Sequence, residues 1–308
     1  MKIKHCIESQ QFSKEFLYEL FKKADDLRIK SDEILKGKIL ASLFYEPSTR
    51  TRLSFESAML KMGGKVIGTE NASEFSSAVK GESLEDTARI ISTYCDVIVI
   101  RHNVEGTAKI FSEVSKCPII NAGDGKGQHP TQALLDVYTL YREFRKIDGL
   151  KVAMVGDLAS GRTVRSLCYL LGKFSNIKIV FISPENLKIG NDIKEYLNEK
   201  GISFTEETDL NRILPEVDVV YMTRIQKERI SLKDYENAKG KFVINNENLN
   251  LIKQDSRIMH PLPHVEEINL PVAVEESDNR IAYFRQAENG LYIRMALLAN
   301  MLSDDIQD

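Results

Sequence analysis

The chain is poor in the features that mark several large protein classes. Its four cysteines, Cys6, Cys95, Cys117 and Cys168, are scattered, with no C-x-x-C pair and no metal-type spacing. A disulfide scaffold and a thiolate metal centre are therefore excluded, and reduced thiols are expected. No apolar run approaches the ~20 residues that a membrane-spanning helix needs. The opening MKIKHCIESQ carries neither a signal-peptide apolar core nor an Arg- and Ser-rich transit pattern. A soluble cytoplasmic protein is the expectation. The formal net charge is only -3, so no global basic field draws the chain to nucleic acid or to an acidic membrane. Internal repeats and low-complexity segments are absent too. So are a G-x-S-x-G elbow, a metal-ligand cluster and a carboxylate pair suited to hydrolysis. Covalent serine catalysis and two-carboxylate glycoside hydrolysis are not expected.

What is present is ordinary in bulk and unusual in detail. Hydrophobic residues make up 43% and charged residues 28% of 308, as in a soluble globular protein long enough for two domains of about 150 residues. Ser13 is placed to cap a first helix whose Phe16, Leu17, Leu20, Phe21, Ala24 and Leu27 share one face. Strand-like runs then alternate with helical ones. Strands are expected at 38–44, 65–68, 96–101, 118–122, 151–155, 178–182, 217–222 and 257–259. Helices are expected at 51–62, 83–94, 105–114, 130–145, 162–174, 189–200 and 283–302. Such alternation predicts an α/β protein of two domains, each a mostly parallel sheet with helices on both faces, closed by a C-terminal helix. The Asp148-Gly149 turn marks the junction, giving domains 1–147 and 148–283, with the helix at about 284–308 packing back on the first. Ligands of such sheets bind beyond the carboxyl ends of the strands.

The loops at those ends hold the unusual residues. In FYEPSTRTR, Pro47 ends the first strand, and Ser48 or Thr49 can cap the next helix. A helix start offers unpaired N–H groups and a partial positive charge, and hydroxyls plus a guanidinium add donors for an anion. Arg50 and Arg52 point to different sides of that helix, so one of them faces the ligand. Arg101 closes the strand VIVIR and points to the same cleft. The glycine-rich loop of NAGDGKGQHPTQ leads to His129 at a helix start, where it can donate to an oxyanion, and the positive helix end favours its neutral form. GDLASGRT fits the phosphate-loop template except that Arg162 replaces the lysine. A nucleotide triphosphatase is therefore a competing reading, although no apolar strand ends in a magnesium-binding Asp. TRIQKER places Arg224 and Gln226 after another strand, and MHPLPH forms a rigid double-proline loop. Four arginines after strands, Arg50, Arg101, Arg162 and Arg224, fit one or two polyanionic small molecules.

The segments FYEPSTRTR, VIRH, GDGKGQHPTQ, GDLASGRT, TRIQKER and MHPLP, in this order, resemble the catalytic chains of the aspartate carbamoyltransferase family, from about residue 38 to the last helix. The resemblance implies a first domain for carbamoyl phosphate, a second for L-aspartate, an early step of pyrimidine synthesis, and no need for a cofactor or metal. Ser48, Thr49, Arg50 and Thr51 would hold the phosphate. Thr51, Arg101 and His129 would polarise the carbamoyl oxygen, so Arg50, Thr51, Arg101 and His129 are the catalytic candidates. Gln132 and the backbone of Leu262 and Pro263 would hold the carbamoyl NH2, and Arg162, Arg224 and Gln226 the aspartate carboxylates. The family also implies a homotrimer with shared sites, to which the neighbouring subunit brings Ser76 and Lys80, the latter toward aspartate. A regulatory chain is a possible further partner.

Ornithine carbamoyltransferases resemble this pattern less. They carry an H-C-L-P loop and an S-M-G loop, where this chain has MHPLP and Arg224-Ile225-Gln226, whose charge repels a cationic amino acid. Transfer to another amino acid and a non-catalytic assembly role compete with the aspartate reading. His264 stands where the family usually has Arg, and Ala159 where some relatives have Lys. Glu46, the acidic residue beside a cationic cleft, is expected to latch onto Arg162 or Arg229 on closure.

Overall fold

The apolar runs form parallel strands because each is hydrophobic on both faces and must be covered on both. The computed structural model describes residues 1–70, 81–225 and 240–303. Within it the chain divides into two units, residues 1–138 with 288–308 and residues 139–287. The divisions fall inside the helices Pro130–Phe144 and Tyr283–Leu302. A continuous helix carries no Pro- or Gly-rich linker signal, whereas the Asp148-Gly149 turn, which lies within the second unit, does.

In the first unit β1 (Ile39–Phe44), β2 (Lys65–Glu70), β3 (Val97–His102) and β4 (Ile119–Asp124) form a sheet in the order β2-β1-β3-β4, every pair parallel. All six residues of β4 are buried, as are five of six in β1. Ala41, Leu43, Ile98, Ile100 and Ile119 meet Phe111 of the helix Thr107–Val114 in one core cluster. Ser13 caps the helix Lys14–Ile29, its side chain accepting from Phe16 N. The connections reverse at β1, with β2 on one side and β3 on the other, so the crevice forms beyond Phe44 and Arg101, which are register partners.

The second unit holds β5 (Lys151–Val155), β6 (Lys178–Ile182), β7 (Ser203–Glu207), β8 (Val219–Met222) and β10 (Arg257–Met259) in the order β10-β8-β5-β6-β7, again parallel. A separate two-stranded pair joins β9 (Ile244–Asn245) to β11 (Ile268–Asn269). Val155, Ile182, Val220, Met222 and Ile258 belong to one core cluster. β7, of sequence SFTEE, was not among the expected strands. It is the sheet edge, none of its residues is fully buried, and charge there discourages pairing with another chain. Here the reversal lies at β5, which puts the crevice beyond β5 and β8. Gly156 allows that close approach. It has φ of 120°, and a side chain there would strike the Thr223 backbone.

Candidate active site

Each unit gathers polar side chains at the carboxyl end of its sheet. In the first, the helix Thr49–Lys61 begins two residues after Pro47. Ser48 is its N-cap by position, yet its side chain makes no cap hydrogen bond. The hydroxyl expected to satisfy the helix start is thus not used for that purpose, and the first-turn N–H groups keep their capacity for an anion. Thr49 and Arg50 are exposed, Ser48 is half-buried and Thr51 is buried. Arg52 turns away. Its Nε donates to Glu56 Oε1 at 2.9 Å, and the same oxygen accepts from Ser42 Oγ at 2.9 Å.

Arg101 lies at the end of β3, where its guanidinium pairs with Glu46 at 2.9 Å. Glu46 is therefore engaged inside its own unit, and Arg229, one of its two expected partners, lies outside the described residues. An arginine holding a carboxylate at 2.9 Å is oriented for an oxyanion of similar geometry. Next to it, His102 stacks on Tyr45 with ring centroids 4.7 Å apart, and its Nδ1 accepts from Val104 N at 3.0 Å. Burial lowers the pKa of His102, against the opposing pull of Asp124 and Glu46.

The loop after β4 is tied by Asp124, whose Oδ2 accepts from Gly106 N and whose Oδ1 accepts from Gln128 N, both at 3.0 Å. Gly125, with φ of 47°, passes close to Asn103 O. This loop delivers His129, buried, just ahead of Pro130 at the first position of its helix. The His129 carbonyl accepts from Gln132 N at 3.0 Å and Ala133 N at 3.2 Å, and Thr131 Oγ1 lies 3.4 Å from His129 Nδ1. Gln132 is buried, and its Nε2 donates to Asp136 Oδ1 at 2.9 Å.

In the second unit the loop after β5 carries GDLASGRT. The Asp157 carboxylate is fully buried in this turn, accepting from Ser160 N at 2.9 Å. A carboxylate folded into the turn opposes a nucleotide phosphate at that place, which contradicts the phosphate-loop reading. Arg162 opens the helix Arg162–Leu171 and is half-buried, while Ala159 is exposed. Arg224, also half-buried, follows Thr223, whose N and Oγ1 both donate to Val155 O at 2.8 Å. Ser76, Lys80 and Gln226 lie outside the described residues.

The loop after β10 is held by charged and polar groups that the sequence pattern does not single out. His260 Nδ1 accepts from Leu262 N at 2.8 Å, and its Nε2 meets Glu267 Oε1 at 2.8 Å. Both side chains are buried. Burial works against the Glu267 carboxylate, but hydrogen bonds and the His260 ring hold its pKa below the ordinary value. Gln286 Oε1 accepts from His260 N at 2.8 Å. Leu262 is thereby kept at a positive φ of 54°, a conformation rare for a branched side chain. Its signal in the sequence is the double proline, since a loop that rigid needs internal partners. His264 packs against Tyr283 and Phe284, and its Nε2 lies 3.2 Å from Glu275 Oε1.

The order of these loops and the paired sheets recur in proteins of known kind. A family model described as "Aspartate/ornithine carbamoyltransferase, carbamoyl-P binding domain" matches residues 4–142, and its companion, "Asp/Orn binding domain", matches 148–301. The chain belongs to the aspartate/ornithine carbamoyltransferase family. Among relatives, the chloroplastic aspartate carbamoyltransferase 3 of Pisum sativum is 55% identical over 303 residues, covering 96% of this chain and 77% of that protein. The solved catalytic subunit of M. jannaschii aspartate transcarbamoylase superposes with TM-score 0.90 at 46% identity, covering 99% of this chain and 100% of that one. Aspartate transcarbamoylase from Trypanosoma cruzi, solved with N-(phosphonacetyl)-L-aspartic acid, superposes with TM-score 0.91 at 36% identity, covering 98% and 96%. One polar loop cluster lies in each of the two matched domains.

Proposed function

We propose that this chain transfers the carbamoyl group of carbamoyl phosphate to the amine of L-aspartate, giving N-carbamoyl-L-aspartate and phosphate, an early step in building pyrimidines. The observation that carries the proposal is a pair of arginines, Arg162 and Arg224, one after β5 at the start of the next helix and one just after β8, in a chain whose relatives are named aspartate carbamoyltransferases. Two cations suit a dicarboxylate and repel the ammonium of ornithine.

In this proposal the phosphate sits on the N-terminus of the helix Thr49–Lys61, held by Ser48, Thr49, Arg50 and Thr51. Thr51, Arg101 and His129 hold the carbamoyl oxygen. Gln132 and the backbone of Leu262 and Pro263 take its NH2. Arg162, Arg224 and Gln226 take the carboxylates of aspartate. The neutral amine attacks the carbamoyl carbon, negative charge grows on the carbonyl oxygen, and fixed donors stabilise it. The C–O bond to phosphate then breaks, and the leaving phosphate takes the amine proton. Holding both reactants in place removes the cost of bringing them together. Donation from His129 needs a proton on the ring nitrogen that faces the oxygen, and a neutral imidazole meets that need without repelling the amine nitrogen as it becomes positive during attack.

The proposal includes a homotrimer in which Ser76 and Lys80 serve a neighbour's site, and location in the cytoplasm. Phosphate release that depends on L-aspartate, with one N-carbamoyl-L-aspartate formed per phosphate, is the expected result of incubation with carbamoyl phosphate. Release that is independent of the amino acid, or product with L-ornithine in place of L-aspartate, would overturn it.

A further inference from the structure

We infer that Asp136 is a positioning residue that fixes the side-chain amide of Gln132, so that its oxygen, not its nitrogen, meets the amino group of the carbamoyl donor. This inference rests on the proposed function for the identity of that donor.

Gln132 and Asp136 are four residues apart on the helix Pro130–Phe144, so their side chains share a face. Gln132 Nε2 donates to Asp136 Oδ1 at 2.9 Å. Asp136 is fully buried and Gln132 nearly so, at 0% and 7% exposure. An amide has two orientations of almost equal shape, and only its partners choose between them. Here the partner is a carboxylate, and a second charge keeps it one. Arg294, from the helix Tyr283–Leu302, is buried and interacts electrostatically with Asp136. Burial lowers the Arg294 pKa to about 10, with Asp136 opposing the shift, so the guanidinium is a cation at neutral pH. Its Cζ lies 5.1 Å from the centroid of the Phe55 ring, and Gly290 leaves it room, since any side chain at that position would strike Arg294.

An ionised carboxylate beside a cation only accepts hydrogen bonds. The reverse orientation of Gln132 would set its oxygen against that carboxylate, acceptor against acceptor, in a buried place where neither finds water. Oε1 is therefore the end left for a ligand, and it can only accept. A carbamoyl donor carries an NH2 group, which only donates. Asp136 thus selects NH2 over a group of the same size without hydrogens to give, and it does so without touching the substrate.

Acetyl phosphate, with a methyl group where carbamoyl phosphate has NH2, is the probe. The KM for carbamoyl phosphate and the competitive inhibition constant for acetyl phosphate are measured for the wild type and for D136N, whose amide can pair with either end of Gln132. The expected result is a rise of about tenfold in the carbamoyl phosphate KM, the loss of one buried hydrogen bond. The acetyl phosphate constant should stay within about twofold, since it never used that bond. Both constants rising together, or neither moving, would overturn the inference, because a loosened fold weakens both ligands alike. Should D136N not yield folded protein, D136N/R294Q, which removes both buried charges together, carries the same comparison. Wild-type protein that makes no N-carbamoyl-L-aspartate would overturn the proposed function itself. An active wild type with a parallel loss in the variant would overturn only the role of Asp136.

Discussion

At the scale of single residues, the account divides labour between oxyanion donors and carboxylate holders. Replacing Arg101 or His129 by Ala should lower kcat by about 10²- to 10³-fold, the usual loss when one such donor is removed. Steady-state kinetics at saturating substrates would check this, and a change confined to KM would count against it. Arg224→Ala should behave differently. Its expected effect is a higher KM for L-aspartate with carbamoyl phosphate binding unchanged, measured by varying each substrate in turn. The residues behind both predictions were legible in the sequence because they stand at or beyond the ends of apolar strands, where ligands of parallel sheets bind. Asp136, Arg294, His260 and Glu267 were not. Asp136 sits in the run ALLDVYTLY, and a charge on an amphipathic helix defaults to the solvent face until packing shows otherwise. Its burial, and the Arg294 cation that makes it tolerable, come from elements more than a hundred residues apart in sequence. Ser48 was legible as a helix start but not as a hydroxyl unused in capping, since residue type alone does not fix a side-chain rotamer.

At the scale of elements, a partly buried ion-pair cluster ties a helix end to a strand end and a helix start. Glu143, near the end of the helix Pro130–Phe144, accepts from Arg257 Nε at 2.6 Å and Arg285 Nε at 2.7 Å. Burial alone would raise the Glu143 pKa, but the bonds and charges of Arg285 and Arg257 outweigh it and hold the carboxyl below its ordinary value. A depressed carboxylate adds stability above the unfolded pKa, about 4.5, and loses it as pH falls through the lower folded value. Glu143→Gln should therefore cost about 1–3 kcal/mol at neutral pH, less than a fully buried pair because Arg285 is half-exposed. The cost should shrink as pH falls below about 4.5, where the unfolded chain takes up the proton that the native carboxylate resists. Urea unfolding at pH 7 and pH 3.5 would check both parts, and an undiminished difference in acid would refute the assignment. The strands β1, β3, β5, β6 and β8 were legible because continuous apolar runs too short for a buried helix leave little else. β7 was not, because SFTEE lies at an edge where polar residues are tolerated on both faces. Helix ends shifted by a few residues, as at Leu84–Ile91 against the expected 83–94, since fraying turns carry no strong signal.

At the scale of the whole molecule, the proposal asks two parallel sheets for different chemistry, a helix N-terminus with hydroxyls for a phosphate and arginines in the loops after strands for carboxylates. If Ser76 and Lys80 serve a neighbouring subunit, a variant lacking Lys80 and a variant lacking Arg50 should each be inactive. Mixed after reversible dissociation, they should recover activity through sites that combine an intact Lys80 with an intact Arg50. Mixtures that stay inactive would rule out shared sites. The proposal that the aspartate nitrogen attacks the carbamoyl carbon is tested most directly by isotope labelling. Carbamoyl phosphate labelled with ¹³C is incubated with the protein and ¹⁵N-labelled L-aspartate, and the products are followed by carbon NMR. The account predicts one new carbamoyl signal split by one-bond coupling to ¹⁵N, growing in step with phosphate. A ¹³C product without that coupling, or label found only in bicarbonate or cyanate, would contradict it.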